Sequence, residues 1–169
     1  MYKRILVPME NEEQQQPALD QARLLAQQVG AAAILAWLVP VVASGEQFFS
    51  NIQVEPGSSG ARRKERGEAF LAQAADAFRD SGVEVINRIV VTPLPPEQAI
   101  VELAADEGAD LIIMATLPQS AVGRFLFGSV GDKVRRRSQI PVLFVRPPED
   151  SDLGSSRPSP VENKVEDDG

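Results

Sequence analysis

Three short stretches hold the residues best placed for chemistry: Pro8-Met9-Glu10, the loop Ala115-Thr116-Leu117-Pro118-Gln119, and a Gly128-Ser129 pair. A Gly-Ser pair that opens a helix offers a hydroxyl and free backbone N–H groups at the helix's positive end, which suits a phosphate. The same serine would also serve as an N-cap, with Asp132 three residues on giving a capping box that carries Asp in place of the usual Glu. The two roles are compatible, because a capping serine can still meet a ligand. The loop before it works against a phosphate. Pro118 has no N–H and a φ fixed near about −65°, and Ala115 brings a β-carbon that at positive φ costs on the order of 1 kcal/mol. A phosphate nest depends on its full set of N–H donors, although Gly123 adds a flexible point and Gln119 and Ser120 carry side-chain donors. Glu10, in the acidic loop Glu10, Glu12, Glu13, reads first as a solvated acid.

What is missing narrows the chemistry further. The chain has 169 residues with no histidine and no cysteine, so Ser-His-Asp, Cys-His and ordinary zinc chemistry are excluded. No Walker-type Gly-Lys-Ser/Thr is present, which removes P-loop chemistry. Catalysis would have to rest on carboxylates, and no acid pair is set across the loops. No catalytic residue, no metal site and no resident cofactor are therefore expected.

The formal net charge is −7, but residues 149–169 hold seven acids and two bases, or −5 of it. The remainder is close to neutral, so no nucleic-acid partner is expected. No apolar run approaches the roughly 20 residues needed to cross a bilayer, and Met1-Tyr2-Lys3-Arg4 leads straight into a strand pattern rather than a signal peptide. A cytoplasmic protein with no membrane partner is the expectation.

The elements that must position these loops follow from periodicity. Tyr2 to Pro8 reads as a buried strand stopped by proline, and residues 13–29 as a helix with Leu19, Ala22, Leu24, Leu25, Ala26 and Val29 inward and Gly30 as C-cap. Ala32 to Val39 is a second strand, apolar on both faces as buried parallel strands are. Residues 40–60 read as a long mobile insert. A helix over 61–81 would bury Ala69, Phe70, Ala74, Ala77 and Phe78, and Val83 to Val91 is the third strand. Pro95-Pro96-Glu97 opens a third helix, with Ile100, Leu103 and Ala104 inward and Gly108 at its end. Strand four covers Asp110 to Ala115, helix four Gly128 to Ser138, and strand five Pro141 to Arg146. This alternation predicts an α/β fold with a parallel doubly wound sheet, over residues 1–148 as one domain. Past Pro147-Pro148 the apolar pattern stops, and 149–169 reads as a disordered acidic tail. In such sheets ligands bind beyond the carboxyl ends of the strands, where all three stretches fall.

Arg135-Arg136-Arg137 suits the negative end of helix four. Arg62-Arg63-Lys64-Glu65-Arg66 would oppose the dipole at a helix start, and a contact with the tail or with another protein is the available account. Trp37 on strand two reads as a core residue, with the narrowing of a pocket between strands one and two as the alternative.

The frame of Ala115 to Ser129, with Arg124-Phe125-Leu126-Phe127-Gly128-Ser129-Val130 and Pro141-Val142-Leu143-Phe144-Val145, resembles the C-terminal half of the universal stress protein family. The likeness spans about residues 2–147 and is weak across 41–62. It implies a Rossmann-like five-stranded fold with strand order 3-2-1-4-5. It also implies a homodimer through the fifth strands, which the apolar edge of strand five supports independently at Val142 and Phe144. ATP-binding members carry glycines where this chain has Ala115 and Pro118, an acid after Pro-Thr or Pro-Val where it has Glu10, and often histidine at Trp37. The leading expectation is a stress-response binding or regulatory module that does not hold ATP tightly and acts with a protein partner yet to be identified. The second is an ATP- or AMP-binding switch. Its contacts would come from Val7, Pro8, Met9 and Glu10, from Leu38, from Ala115, Thr116 and Pro118, and from Gly128, Ser129 and Val130. A slow ATP hydrolase comes third.

Overall fold

The computed structural model describes residues 1–12, 15–41, 56–116 and 128–146. Most of the expected insert (42–55), the loop 117–127 that contains Pro118, and everything from 147 on, including the expected tail, lie outside them. The described chain alternates strand and helix throughout: β1 (Arg4–Met9), α1 (Gln16–Val29), β2 (Ala32–Pro40), α2 (Ser59–Asp80), β3 (Val85–Thr92), α3 (Pro96–Asp106), β4 (Leu111–Ala115), α4 (Gly128–Arg137) and β5 (Val142–Val145). The five strands form one parallel sheet in the order β3-β2-β1-β4-β5. The order reverses direction between β1 and β4, and that is where an open α/β sheet has its ligand crevice.

Strand side chains alternate between the two faces, so each face makes its own core. Ile5, Val7, Met9, Leu35 and Trp37 pack with α1 and α2 on one side. Leu6, Ile34, Leu38, Ile112 and Met114 pack with α3 and α4 on the other. β1, β2 and β4 are almost wholly buried, and each fully buried Leu or Ile contributes about 1.5–3 kcal/mol.

The helix faces differ in detail from those expected. In α1 the buried positions are Ala18, Leu19, Ala22 and Ala26, while Leu24 is 47% exposed. At about 100° per residue, Leu24 sits roughly 200° around from Ala22 and faces away from the sheet. α2 buries Gly67, Leu71, Ala75 and Phe78, with Ala69 and Ala77 exposed. This helix also begins earlier than residue 61. Ser58 caps it, its Oγ accepting from the Ala61 N–H at 3.1 Å, so Arg62 to Arg66 fall in the second turn rather than at the start. The expected C-cap at Gly30 is present, left-handed at φ 70°.

Below the sheet, Asp110 closes the amino-terminal side of the β1–β4 pair. Its carboxylate accepts from the backbone N–H groups of Lys3 (2.8 Å) and Arg4 (3.1 Å). Among the described residues no helix is long and apolar enough to cross a membrane.

Candidate functional site

Pro8 does not stop β1; the strand continues through it to Met9. Its position explains why the sheet opens beyond it. The Lys3 carbonyl accepts from Ala32 N–H on the β2 side, and the Arg4 carbonyl accepts from Asp110 N–H on the β4 side. In a parallel strand both polar groups of a residue point to the same neighbour, so even-numbered residues of β1 face β4. Pro8 is the even residue after Leu6, and it has no N–H to give. The β1–β2 register runs six residues to Met9 opposite Trp37, whereas β1 and β4 are in register only at Ile5–Leu111 and Leu6–Ile112. Pro8 thus removes one ladder donor at the switch point, where the reversal of strand order already places the crevice.

The candidate residues divide into two groups around it. Val7, Met9 and Leu38 are at most 1% exposed and belong to the core, Val7 and Met9 on the α1–α2 face and Leu38 on the α3–α4 face. Pro8 is buried as well, so all four would meet a ligand through backbone alone. Ala115 ends β4 opposite Val145. Thr116, 2% exposed, donates both its N–H (2.9 Å) and its hydroxyl (3.3 Å) to the Val145 carbonyl. That hydroxyl is turned into the fold rather than toward the crevice.

On the far side, α4 starts at Gly128, which puts Ser129 inside the first turn and not at the capping position before it. Asp132 accepts from Arg135 at 3.2 Å and pairs with Arg136 at 2.9 Å. Val130 is partly buried against the α3–α4 core. The start of α4 is tied to the start of α3 by Lys133 Nζ and Glu97 Oε1, 3.4 Å apart. Glu97 is 5% exposed. Its carboxyl is held below its ordinary value, first by the hydrogen bond to its own backbone N–H and then by Lys133 and Arg137, against the opposing cost of burial.

Glu10 follows β1 at the crevice. It is partly buried, and its Oε1 is enclosed with no hydrogen-bond partner among the described residues. Burial pushes its carboxyl above the ordinary value of 4.5, the Arg63 charge opposes that rise, and the Glu97 charge adds to it. A solvated acid would behave otherwise, so the expectation for Glu10 is corrected. Between Glu10, Trp37 and α2 lies a cleft of about 470 Å³, whose walls include Ser59, Arg62, Arg63 and Arg66. Trp37 is 2% exposed, a core residue as expected, and its ring centroid lies 5.6 Å from that of Phe70. Its Nε1 also lacks a partner among the described residues. Neither orphaned atom has a signature in the sequence, since each depends on how α2 is seated.

The sequence profile of the universal stress protein family matches residues 1–146. This chain belongs to that family. A universal stress protein of Thermus aquaticus is 32% identical over 148 residues, covering 86% of this chain and all of the relative. One from Methanocaldococcus jannaschii is 27% identical over 150 residues, covering 88% and 84%. Among solved structures, the M. jannaschii protein MJ0577, whose structure was used to assign a biochemical function, superposes with a TM-score of 0.69 at 28% identity, covering 88% of this chain and 99% of that one. A universal stress protein in complex with cAMP superposes with a TM-score of 0.60 at 27% identity, covering 86% and 97%.

As a universal stress protein, the chain has the sheet order that the resemblance implies. At the exit of β4, Ala115 is partly buried against the α1–α2 core. At the exit of β1 the chain keeps an acid, Glu10, on a longer and partly buried arm. Among the described residues no group of three potential ligands stands ready for a metal ion.

Proposed function

We propose that this universal stress protein is a non-enzymatic, cytoplasmic stress-response module whose adenine-nucleotide crevice is weakened rather than lost. The observation that carries the reading is the exit of β4. Ala115, partly buried against the α1–α2 core, carries a β-carbon where a glycine would leave the backbone bare, and Thr116, the next residue, commits both its donors to Val145. A bound phosphate therefore lacks close backbone approach at the first position and a hydroxyl at the second, while Pro118 removes a further N–H. The ATP- or AMP-binding switch is the second reading. The cAMP complex of a relative at 27% identity favours it, as does the start of α4 at Gly128 beyond the open β1–β4 edge. Slow ATP hydrolysis has the least support, because the chain has no histidine or cysteine to act as base or nucleophile.

Calorimetry with ATP-Mg separates the first two readings. The weakened crevice gives a dissociation constant no tighter than about 1 mM, roughly −4 kcal/mol, and the double substitution Ala115→Gly, Pro118→Gly tightens it. A low-micromolar constant for the unmodified protein establishes the switch instead.

A further inference from the structure

The arginines of α2 have only part of their bonding capacity used. Arg66 pairs with Glu12 at 3.3 Å, and Arg62 donates one N–H to the Gly57 carbonyl at 3.0 Å. Arg63 makes no hydrogen bond and no ion pair within 4.0 Å among the described residues. An anion lodged between these arginines takes up their free N–H groups and offsets the repulsion between like charges. Guanidinium groups clustered within five residues suit the several oxygens of a phosphate better than a single-point acceptor.

The opposite wall asks for something different. Glu10 Oε1 is an enclosed acceptor without a donor, and a bare anion would face Glu10 and Glu12 across the cleft. An occupant that satisfies both walls carries an anionic group at one end and a hydrogen-bond donor at the other. The cleft volume of about 470 Å³ falls within the range of small-molecule sites. The cleft's arginines belong to α2 and not to the start of α4. Trp37 and α2 pack on one face of the sheet, whereas Val130 and Val134 of α4 pack on the other.

We propose that the cleft between the end of β1 and the second turn of α2 binds a small hydroxyl-bearing phosphate monoester. Arg62 and Arg63 hold its phosphate, and one of its hydroxyls donates to Glu10 Oε1.

Trp37 is the only tryptophan of the chain and lines the cleft, so its fluorescence reports on this place alone. Glycerol 3-phosphate and ribose 5-phosphate, titrated at constant ionic strength, are expected to change it saturably, at least one of them with a dissociation constant below about 1 mM that calorimetry reproduces. Glycerol leaves it unchanged. Sulfate, which brings charge but no donor, binds at least about tenfold more weakly. Arg63→Gln weakens the sugar phosphate at least about tenfold. Lys64→Gln, on the neighbouring residue that pairs with Glu68 outside the cleft, does not. The proposal is overturned if neither sugar phosphate saturates by either method, if sulfate binds as well as they do, or if Arg63→Gln has no effect. Stoichiometric displacement of the sugar phosphate by ATP-Mg also overturns it, because the cleft would then belong to the nucleotide crevice.

Discussion

Gly67 of α2 lies directly against the indole of Trp37, so closely that a β-carbon on Gly67 would sit 2.3 Å from Trp37 Cδ1 and 2.5 Å from Nε1. The glycine is helical, not left-handed, so space and not backbone conformation requires it. Gly67 shares the inward stripe of α2 with Leu71, Ala75 and Phe78.

Gly67→Ala is expected to destabilise the fold despite alanine's better helix propensity. Replacing a mid-helix glycine gains about 1 kcal/mol, but overpacking a rigid buried ring costs about 1–3 kcal/mol, and at 2.3 Å the upper end applies. The net loss of roughly 1–2 kcal/mol is read from urea unfolding midpoints at unchanged m-value. Trp37→Phe in the same background should recover part of it. An unfolding midpoint raised by Gly67→Ala alone would mean that α2 lifts freely from β2.

Glu10 and Glu97 should give stability–pH profiles of opposite sign. The Glu10 carboxyl is raised in the fold, mainly by burial. The native state then binds the proton more tightly than the unfolded chain does, and stability falls as pH rises from about 4.5 through the raised value. Glu10→Gln therefore stabilises the protein at pH 7.5 and is near neutral at pH 4. The Glu97 carboxyl is lowered. Its contribution is complete above 4.5 and is lost as pH falls through the lowered value, so Glu97→Gln destabilises at pH 7.5 and the difference closes in acid. Thermal midpoints of both variants across pH 3–8 check the pair, and a common sign would refute the electrostatic account of the crevice.

β5 is the outer strand of the sheet, and we propose that it joins two copies of the chain. Val142 and Phe144, the residues first expected at that interface, pack against the α3–α4 core, so a lysine at either would also disturb folding. Leu143 is 38% exposed and offers the cleaner test. Leu143→Lys is expected to turn a dimer into a monomer at micromolar concentration, with a thermal midpoint measured on the monomer within about 4 °C of the wild type, roughly 1–2 kcal/mol or less. Sedimentation velocity reads the change, and a wild-type monomer at that concentration would remove the interface.

The sequence by itself determined the order of the elements, because the alternation of fully apolar runs with amphipathic stretches has a short period that local residues enforce. It also determined the family, through the frame around Gly128-Ser129 and β5. Only the tertiary structure decided the rest. Pro8 reads as a strand terminator in one dimension, yet it lies within β1, and the parity of the strand aims its missing N–H at β4. The stripe α2 buries, Gly67, Leu71, Ala75 and Phe78, has helical spacing as the expected one does, and contacts across the fold, such as Gly67 against Trp37, decide between them. Glu10 reads as a solvated acid because its neighbours in sequence are acidic. Its neighbours in space are the helix ends of α2 and α3, and burial among them, a long-range property, pushes its carboxyl above the ordinary value.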